Sequence, residues 1–128
     1  MKYHEFVGQV QHRGHFPDLG SAVKAIRVVL QALGARLQQK EREHLAAQLP
    51  EEIAYYLKQV NTYEKYDLQE FYTAVAKGEG LDYPDAIHHA KAVATTVQDA
   101  VTAGETRHVS EQLPPEFAEL FERQYEEA

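Results

Sequence analysis

The sequence predicts an all-α protein, in which a pseudo-symmetric tandem repeat of two four-helix units packs as one helical bundle. The first observation is a duplication: the stretch Leu45–Glu52 (LAAQLPEE) returns as Val109–Glu116 (VSEQLPPE), 64 positions later. The second is its extent, since a shift of 64 or 65 positions also pairs residues near the start of each half, and a fixed period is typical of a repeat architecture. The third is periodicity, because apolar residues recur at helical spacing and no stretch has the strict alternation of a strand.

The first repeat, about residues 1–62, has the pattern of four helices. A first amphipathic helix ends near Gly14, and Asp18 is a suitable N-cap for a second helix that reaches about Leu37. A third, short helix follows the polar residues 38–40 and ends at Pro50. Proline lacks the N–H that would continue a helix but suits the first turn of the next one, so Leu-Pro is expected to form a corner. The expected buried residues include Phe6, Val10, Ala22, Ile26, Val29, Leu30, Leu33, Leu45, Leu49, Ile53 and Leu57.

The second repeat, about residues 63–128, follows a polar connector and has the same order of elements. Its first helix is expected to end at Gly78 and Gly80, and Asp82 is expected to cap a long helix. A break at Ala103-Gly104 then leads into a short helix over residues 105–113, and Pro114-Pro115 begins the last helix. The expected buried residues include Leu68, Phe71, Tyr72, Val75, Ile87, Ala90, Val93, Ala94, Val97, Phe117, Leu120, Phe121 and Tyr125.

Composition and charge limit the classes of function. The 128 residues fit one domain, 1–128, and the absence of cysteine excludes disulfides and thiolate metal sites. A net charge of −7 argues against nucleic acid as a partner, and no stretch could span a bilayer or act as a signal peptide, so we expect a cytoplasmic protein. The charge is unevenly divided: residues 1–62 hold 8 Lys+Arg and 6 Asp+Glu (+2), whereas residues 63–128 hold 5 and 14 (−9).

A pattern longer than Gln-Leu-Pro is duplicated. Its residues are Leu37, Glu41, Leu45, Gln48, Leu49 and Pro50, then Val101, Glu105, Val109, Gln112, Leu113 and Pro114, with Phe117–Phe121 at the close. This doubled pattern resembles the domain-of-unknown-function family DUF2267, a group of small, mostly bacterial proteins, and the resemblance covers nearly the whole chain. It implies a helical fold and a bacterial source. It implies no activity and no catalytic residues.

Two Glu-x-x-His motifs, Glu41–His44 and Glu105–His108, are the clearest candidates for chemistry. A Glu-x-x-His on each of two helices is half of a carboxylate-bridged di-iron site, and Glu52 and Glu116 are the symmetric candidates for the other half. The structural alternative is stronger. Both glutamates lie in the first turn of a short helix, where the helix dipole favours an acid, and a local contact between His44 and Gln48 would account for the histidine. The sequence therefore assigns no metal, cofactor-binding or catalytic residue.

Other enzyme motifs are missing from the sequence. Ser21 and Ser110 lie in no nucleophile turn, and Gly78 and Gly80 lack the lysine and spacing of a phosphate-binding loop. We therefore predict a non-enzymatic interaction or scaffold protein without a cofactor, whose partner is an unidentified protein or a second copy of the chain. The alternative is a bundle that binds a metal or small ligand through paired Glu and His at the repeat junction. The basic residues of the first repeat could meet an anionic ligand or acidic partner: Arg13, Lys24, Arg27, Arg36, Lys40 and Arg42.

Overall fold

The computed structural model describes residues 1–122, and over these residues the chain is a helical bundle without strands, as predicted. The described residues form seven α-helices and a closing 3₁₀ helix. Their bounds are α1 Tyr3–Gly14, α2 Leu19–Arg36, α3 Gln39–Ala46, α4 Glu51–Lys58, α5 Leu68–Glu79, α6 Tyr83–Ala100, α7 Ala103–Gln112 and the 3₁₀ helix Pro115–Phe121. The last helix begins where expected but is 3₁₀ rather than α, and the expected contribution of Tyr125 lies outside the described residues.

The helix bounds follow the shift of the sequence repeat. Helices α2 and α6 both have 18 residues and begin 64 positions apart, and α1 and α5 both have 12 residues and begin 65 positions apart. A symmetry axis between the two halves stays a prediction of the sequence, as does a single domain over residues 1–128.

Local signals explain several helix starts. Asp18 accepts a hydrogen bond from the amide of Ser21 at 2.7 Å, as expected of an N-cap. Pro50 precedes α4 at its N-cap, one residue before the first helical position that was expected for it. Asp82 also occupies the N-cap of α6, but its side chain makes no capping hydrogen bond. Helix α7 begins at Ala103, within the predicted break and two residues before the predicted start, because the hydroxyl of Thr102 accepts from the third amide of the helix.

Helices of the first and second halves of the chain share one hydrophobic core. Helix α1 packs on α2 and α6, α2 also packs on α5 and α6, and α3 contacts both α4 and α7. Buried residues from both halves form one continuous cluster, in which Leu49 and Leu113 of the two corners are 8% and 6% exposed. Over residues 1–122, none of the helices combines the length and apolar character that crossing a bilayer requires.

Two contacts fix how neighbouring segments approach. Gly78 of α5 lies so close to α2 that a Cβ atom at this position would be 2.6 Å from Cγ1 of Val28. In the first half, Nη1 of the buried Arg42 donates to the carbonyl oxygens of Gly34, Leu37 and Thr62 at 2.8–2.9 Å. That guanidinium therefore holds the end of α2 and the start of the connector in fixed positions, beside the junction where α3 meets α7.

Candidate metal centre

Helices α3 and α7 bring Glu41 and Glu105 together. Both side chains are covered, with 2% of Glu41 and 7% of Glu105 exposed, whereas His108 is exposed. One ligand atom from each of these three residues lies within 4.8 Å of the other two. The cluster therefore combines two buried carboxylates with one imidazole that is open to solvent.

Helical spacing explains why both glutamates point inward. Residues four apart lie on the same face of a helix, so Glu41 shares a face with the buried Leu45, and Glu105 shares one with the buried Val109. Each acid also lies in the first turn of its helix, where the partial positive charge of the unpaired amides favours a carboxylate. The apolar stripe thus turns the two acids toward the junction, and the first turn makes the position favourable.

The hydrogen bonds at the cluster leave two carboxylate oxygens without a donor. Nε2 of Gln112 donates to Oε1 of Glu41 at 3.1 Å and so fixes the orientation of that carboxylate. Within the described part of the chain, Oε2 of Glu41 and Oε2 of Glu105 are buried and have no hydrogen-bond partner. A buried carboxylate oxygen without a donor is strongly unfavourable, and two adjacent ones add like-charge repulsion. Among residues 1–122, neither acid forms an ion pair that would offset this energy.

The protonation of Glu105 reflects this environment. Burial, then a hydrogen bond with Glu41, then the charge of Glu41 raise the pKa of Glu105 from 4.5 to about 7. A proton on Glu105 supplies the donor that the ionised pair lacks, so the two oxygens share one hydrogen bond when the pair holds one proton. Near neutral pH, the cluster can therefore be stabilised either by a proton or by a cation.

The structure assembles only part of the arrangement that the sequence suggested. His44 is exposed and lies outside the cluster, and Glu52 is exposed. Oε2 of Glu116 accepts from the amide of Leu68 at 2.7 Å and thereby caps α5. The four-glutamate, two-histidine set of a di-iron bundle is therefore not brought together among the described residues, and what remains is a three-residue cluster suited to one ion.

The repeated glutamines have partners that the sequence did not predict. Oε1 of Gln48 accepts from the amide of Thr102 at 2.8 Å, at the start of α7, where a local contact with His44 was expected. Gln112 reaches in the other direction, to Glu41 on α3. One signal in the sequence could have indicated this junction. Glu41 and Glu105 each stand four residues before a buried apolar residue, which is followed by Gln-Leu-Pro.

The remaining histidines do not add to this candidate site. Over residues 1–122, the acidic and histidine side chains form no second cluster of three ligand atoms at this spacing. The ring of His88 stacks on His15 with centroids 5.6 Å apart, and Nδ1 of His89 lies 3.1 Å from a carboxylate oxygen of the buried Glu79. These contacts join α6 to the end of α1 and to α5, and account for His15, His88 and His89 as packing residues.

Comparison with known proteins identifies the family. No curated protein matches the chain. The family model described as "Uncharacterized conserved protein (DUF2267)" matches residues 3–120, a span that contains both Glu-x-x-His motifs and both Gln-Leu-Pro corners. This match confirms the resemblance carried by the doubled pattern. The chain belongs to the DUF2267 family.

Proposed function

We propose that the protein is a non-enzymatic, cytoplasmic metal-binding bundle that takes one divalent transition-metal cation between α3 and α7, with Glu41, Glu105 and His108 as its ligands. The observation that carries this proposal is the pair of buried Oε2 atoms without a donor, which lie in a cluster whose ligand atoms are within 4.8 Å of one another. A divalent ion would neutralise both carboxylates and give each oxygen a partner.

The donor set favours a transition metal over magnesium or calcium. Imidazole with carboxylate oxygen suits Zn²⁺, Co²⁺ or Mn²⁺, whereas Mg²⁺ and Ca²⁺ prefer oxygen ligands alone. Bonds of about 2.0–2.2 Å place the donor atoms of a tetrahedral ion roughly 3.3 Å apart, so the cluster has to close by at most roughly 1.5 Å. Gln112 supports the site from outside, because its amide orients Glu41 as a ligand.

The interaction or scaffold role predicted from the sequence is compatible with such an ion. A cation between α3 and α7 would fasten two helices that belong to different sequence repeats, and so stabilise whatever surface the bundle presents to a partner. The uneven charge of the two halves supports self-association or an acidic partner.

Cobalt provides the direct test, since its visible spectrum reports the ligand field. Metal-free full-length protein is titrated with Co²⁺, and we expect saturation at one equivalent with visible bands of low coordination number. Glu41→Gln and Glu105→Gln should each weaken binding by at least about tenfold, because each removes a charged ligand. His108→Ala should also weaken it and should shift the bands.

Two matched variants control this titration. His44→Ala removes the exposed histidine of the other Glu-x-x-His motif, and Glu52→Gln removes an exposed acid near the first corner; neither should change the affinity. If Co²⁺ does not saturate a site, or if Glu105→Gln binds it as the wild type does, the proposal is wrong. The carboxylate pair would then be a structural pair that shares a proton.

A further inference from the structure

A polar cavity adjoins the carboxylate cluster. It has a volume of about 210 Å³ and is lined by Arg36, Gln38, Tyr63 and Gln112. Because Gln112 also donates to Glu41, the cavity and the cluster share one side chain as their common wall. The lining contains one cation and no acid. A volume equal to that of about seven water molecules leaves room for a small ligand with part of its hydration shell.

The guanidinium of Arg36 is fixed in position at this cavity. Nε donates to the carbonyl oxygen of Tyr66 at 2.8 Å, and Nη1 donates to the hydroxyl of Tyr63 at 3.1 Å. The guanidinium carbon also lies 5.9 Å from the ring centroids of both Tyr63 and Phe117. A guanidinium has five N–H donors, and these contacts use two of them within the described residues. The arginine is therefore ordered before any ligand binds, and most of its donors are available.

The neighbouring groups suit an acceptor-rich ligand. Gln38 occupies the N-cap position of α3, but its side chain makes no capping hydrogen bond, so its amide is available to a ligand. The second amide, that of Gln112, is oriented by its bond to Glu41, and the hydroxyl of Tyr63 lies beside the guanidinium. A preorganised arginine with amide donors is an arrangement that binds carboxylate or phosphate oxygens.

We infer that this cavity binds a small oxyanion, anchored by the guanidinium of Arg36, and that the oxyanion and the cation held by Glu41 and Glu105 bind cooperatively. The second half of the inference rests on the proposed function. The negative charge of the carboxylate pair behind Gln112 repels an incoming anion, whereas a divalent cation bound between the two carboxylates neutralises that charge and removes the repulsion. Coupling of this kind is reciprocal, so the anion must tighten metal binding by the same factor.

The first experiment uses metal-free protein at constant ionic strength. Inorganic phosphate, sulfate and acetate are titrated separately, and the side-chain amide signals of Gln38 and Gln112 and the Nε–H signal of Arg36 are followed by NMR. We expect saturable shifts at these three residues, and the preferred anion separates phosphoryl from carboxylate ligands. Arg36→Gln should weaken binding at least about tenfold, since it removes a charge-assisted, bidentate contact. Arg27→Gln, on the same helix but outside the cavity, should leave it unchanged.

Further variants allow for an effect of Arg36 on the connector. Arg36→Lys keeps the charge but loses the planar fork, and Gln38→Ala removes an exposed donor; both should weaken binding by several-fold. Shifts that do not saturate, or equal losses in Arg36→Gln and Arg27→Gln, would overturn the anion site. If Arg36→Gln does not fold, unchanged anion binding in both Gln38→Ala and Arg36→Lys would overturn the anion site.

The second experiment repeats the sulfate and acetate titrations with one equivalent of Zn²⁺. Anion affinity should rise at least about fivefold with Zn²⁺, and this increase should be lost in Glu105→Gln, which lacks a metal ligand. If Zn²⁺ does not bind but the Arg36-dependent shifts persist, the metal site fails and the anion site stands. If both ligands bind independently, the cooperative part of the inference is wrong.

Discussion

The side-chain amide of Gln112 donates to the carboxylate of Glu41 over 3.1 Å, although the two residues are 71 positions apart. The glutamine of the first Gln-Leu-Pro motif, Gln48, accepts from the backbone amide of Thr102, which is 54 positions away. The glutamines of the doubled Gln-Leu-Pro motif therefore join α3 and α7 from opposite directions. The motif has two separate roles, since its leucine and proline form the corner and its glutamine connects the two halves.

This relationship predicts a cost for removing Gln112. Gln112→Ala deprives the buried Glu41 of a donor, and we expect the free energy of unfolding to fall by about 1–2 kcal/mol in urea titrations of metal-free protein. Gln69→Ala, an exposed glutamine on α5, is the control and should change it by less than about 0.5 kcal/mol. An equal effect of the two substitutions would mean that the bond to Glu41 does not stabilise the junction.

The two Leu-Pro corners should be energetically equivalent anchors. Leu49→Ala and Leu113→Ala each leave a cavity in the shared core, and each should lower the free energy of unfolding by about 2–5 kcal/mol. Leu19→Ala, where the leucine is 57% exposed, is the matched control. Losses below about 1 kcal/mol at both corners would show that the leucines do not hold the helices in place.

The protonation of Glu105 predicts an unusual pH dependence of stability. Its pKa is about 7 in the folded protein and 4.5 without these interactions, so between these pH values the folded state binds more protons than the unfolded state. The contribution of Glu105 to the free energy of unfolding is therefore largest below pH 4.5, declines as the pH rises to about 7 and then stays constant. The decline is on the order of 1–3 kcal/mol.

Urea titrations of metal-free protein at a series of pH values measure this decline. Glu105→Gln cannot ionise and should be more stable than the wild type above pH 7, with a difference that shrinks toward pH 4.5. Glu111→Gln, an exposed acid on the same helix, should follow the wild-type curve. A stability difference between Glu105→Gln and wild type that is independent of pH would contradict the shared-proton arrangement.

The charge split predicts association that weakens with salt. Exposed charges are screened over about 10 Å at 0.1 M salt, so an assembly held between a basic and an acidic half should dissociate as salt rises. Sedimentation at high protein concentration should show this, and a Lys24→Glu, Arg27→Glu variant should lose the assembly. The pair Lys65→Glu, Lys77→Glu makes the same change in net charge within the acidic half. Equal loss of the assembly in both double variants, or a monomer at every salt concentration, would show that Lys24 and Arg27 do not form an interface.

Much of the fold could be predicted because its signals are local. Asp18 caps its own helix, Pro50 ends one helix and begins the next, and the apolar periodicity marks each buried face. The two differences from the prediction at helix starts are local as well. Asp82 stands at an N-cap without using its side chain, and Thr102 extends α7 by capping it two residues before the predicted start.

The candidate site depends on contacts between distant segments, so the sequence alone could not establish it. The helix dipole is a sufficient reason for an acid at Glu41 and at Glu105, and only the packing of α3 on α7 shows that the two carboxylates meet. The duplication suggested paired acids but gave too large a ligand set, because Glu116 is used to cap α5 and His44 faces solvent. The sequence could not predict the role of Gln112 either, because its partner Glu41 lies in a distant segment of the chain.

Gly78 allows the two halves of the molecule to approach each other closely. A β-carbon there would lie 2.6 Å from Cγ1 of Val28, a β-branched side chain with little rotational freedom, so α2 and α5 are as close as a bare backbone permits. A methyl group at this position would clash with Val28, and overpacking of this kind typically costs about 1–3 kcal/mol. The close approach of α2 and α5 at this point therefore depends on the absence of a side chain at position 78.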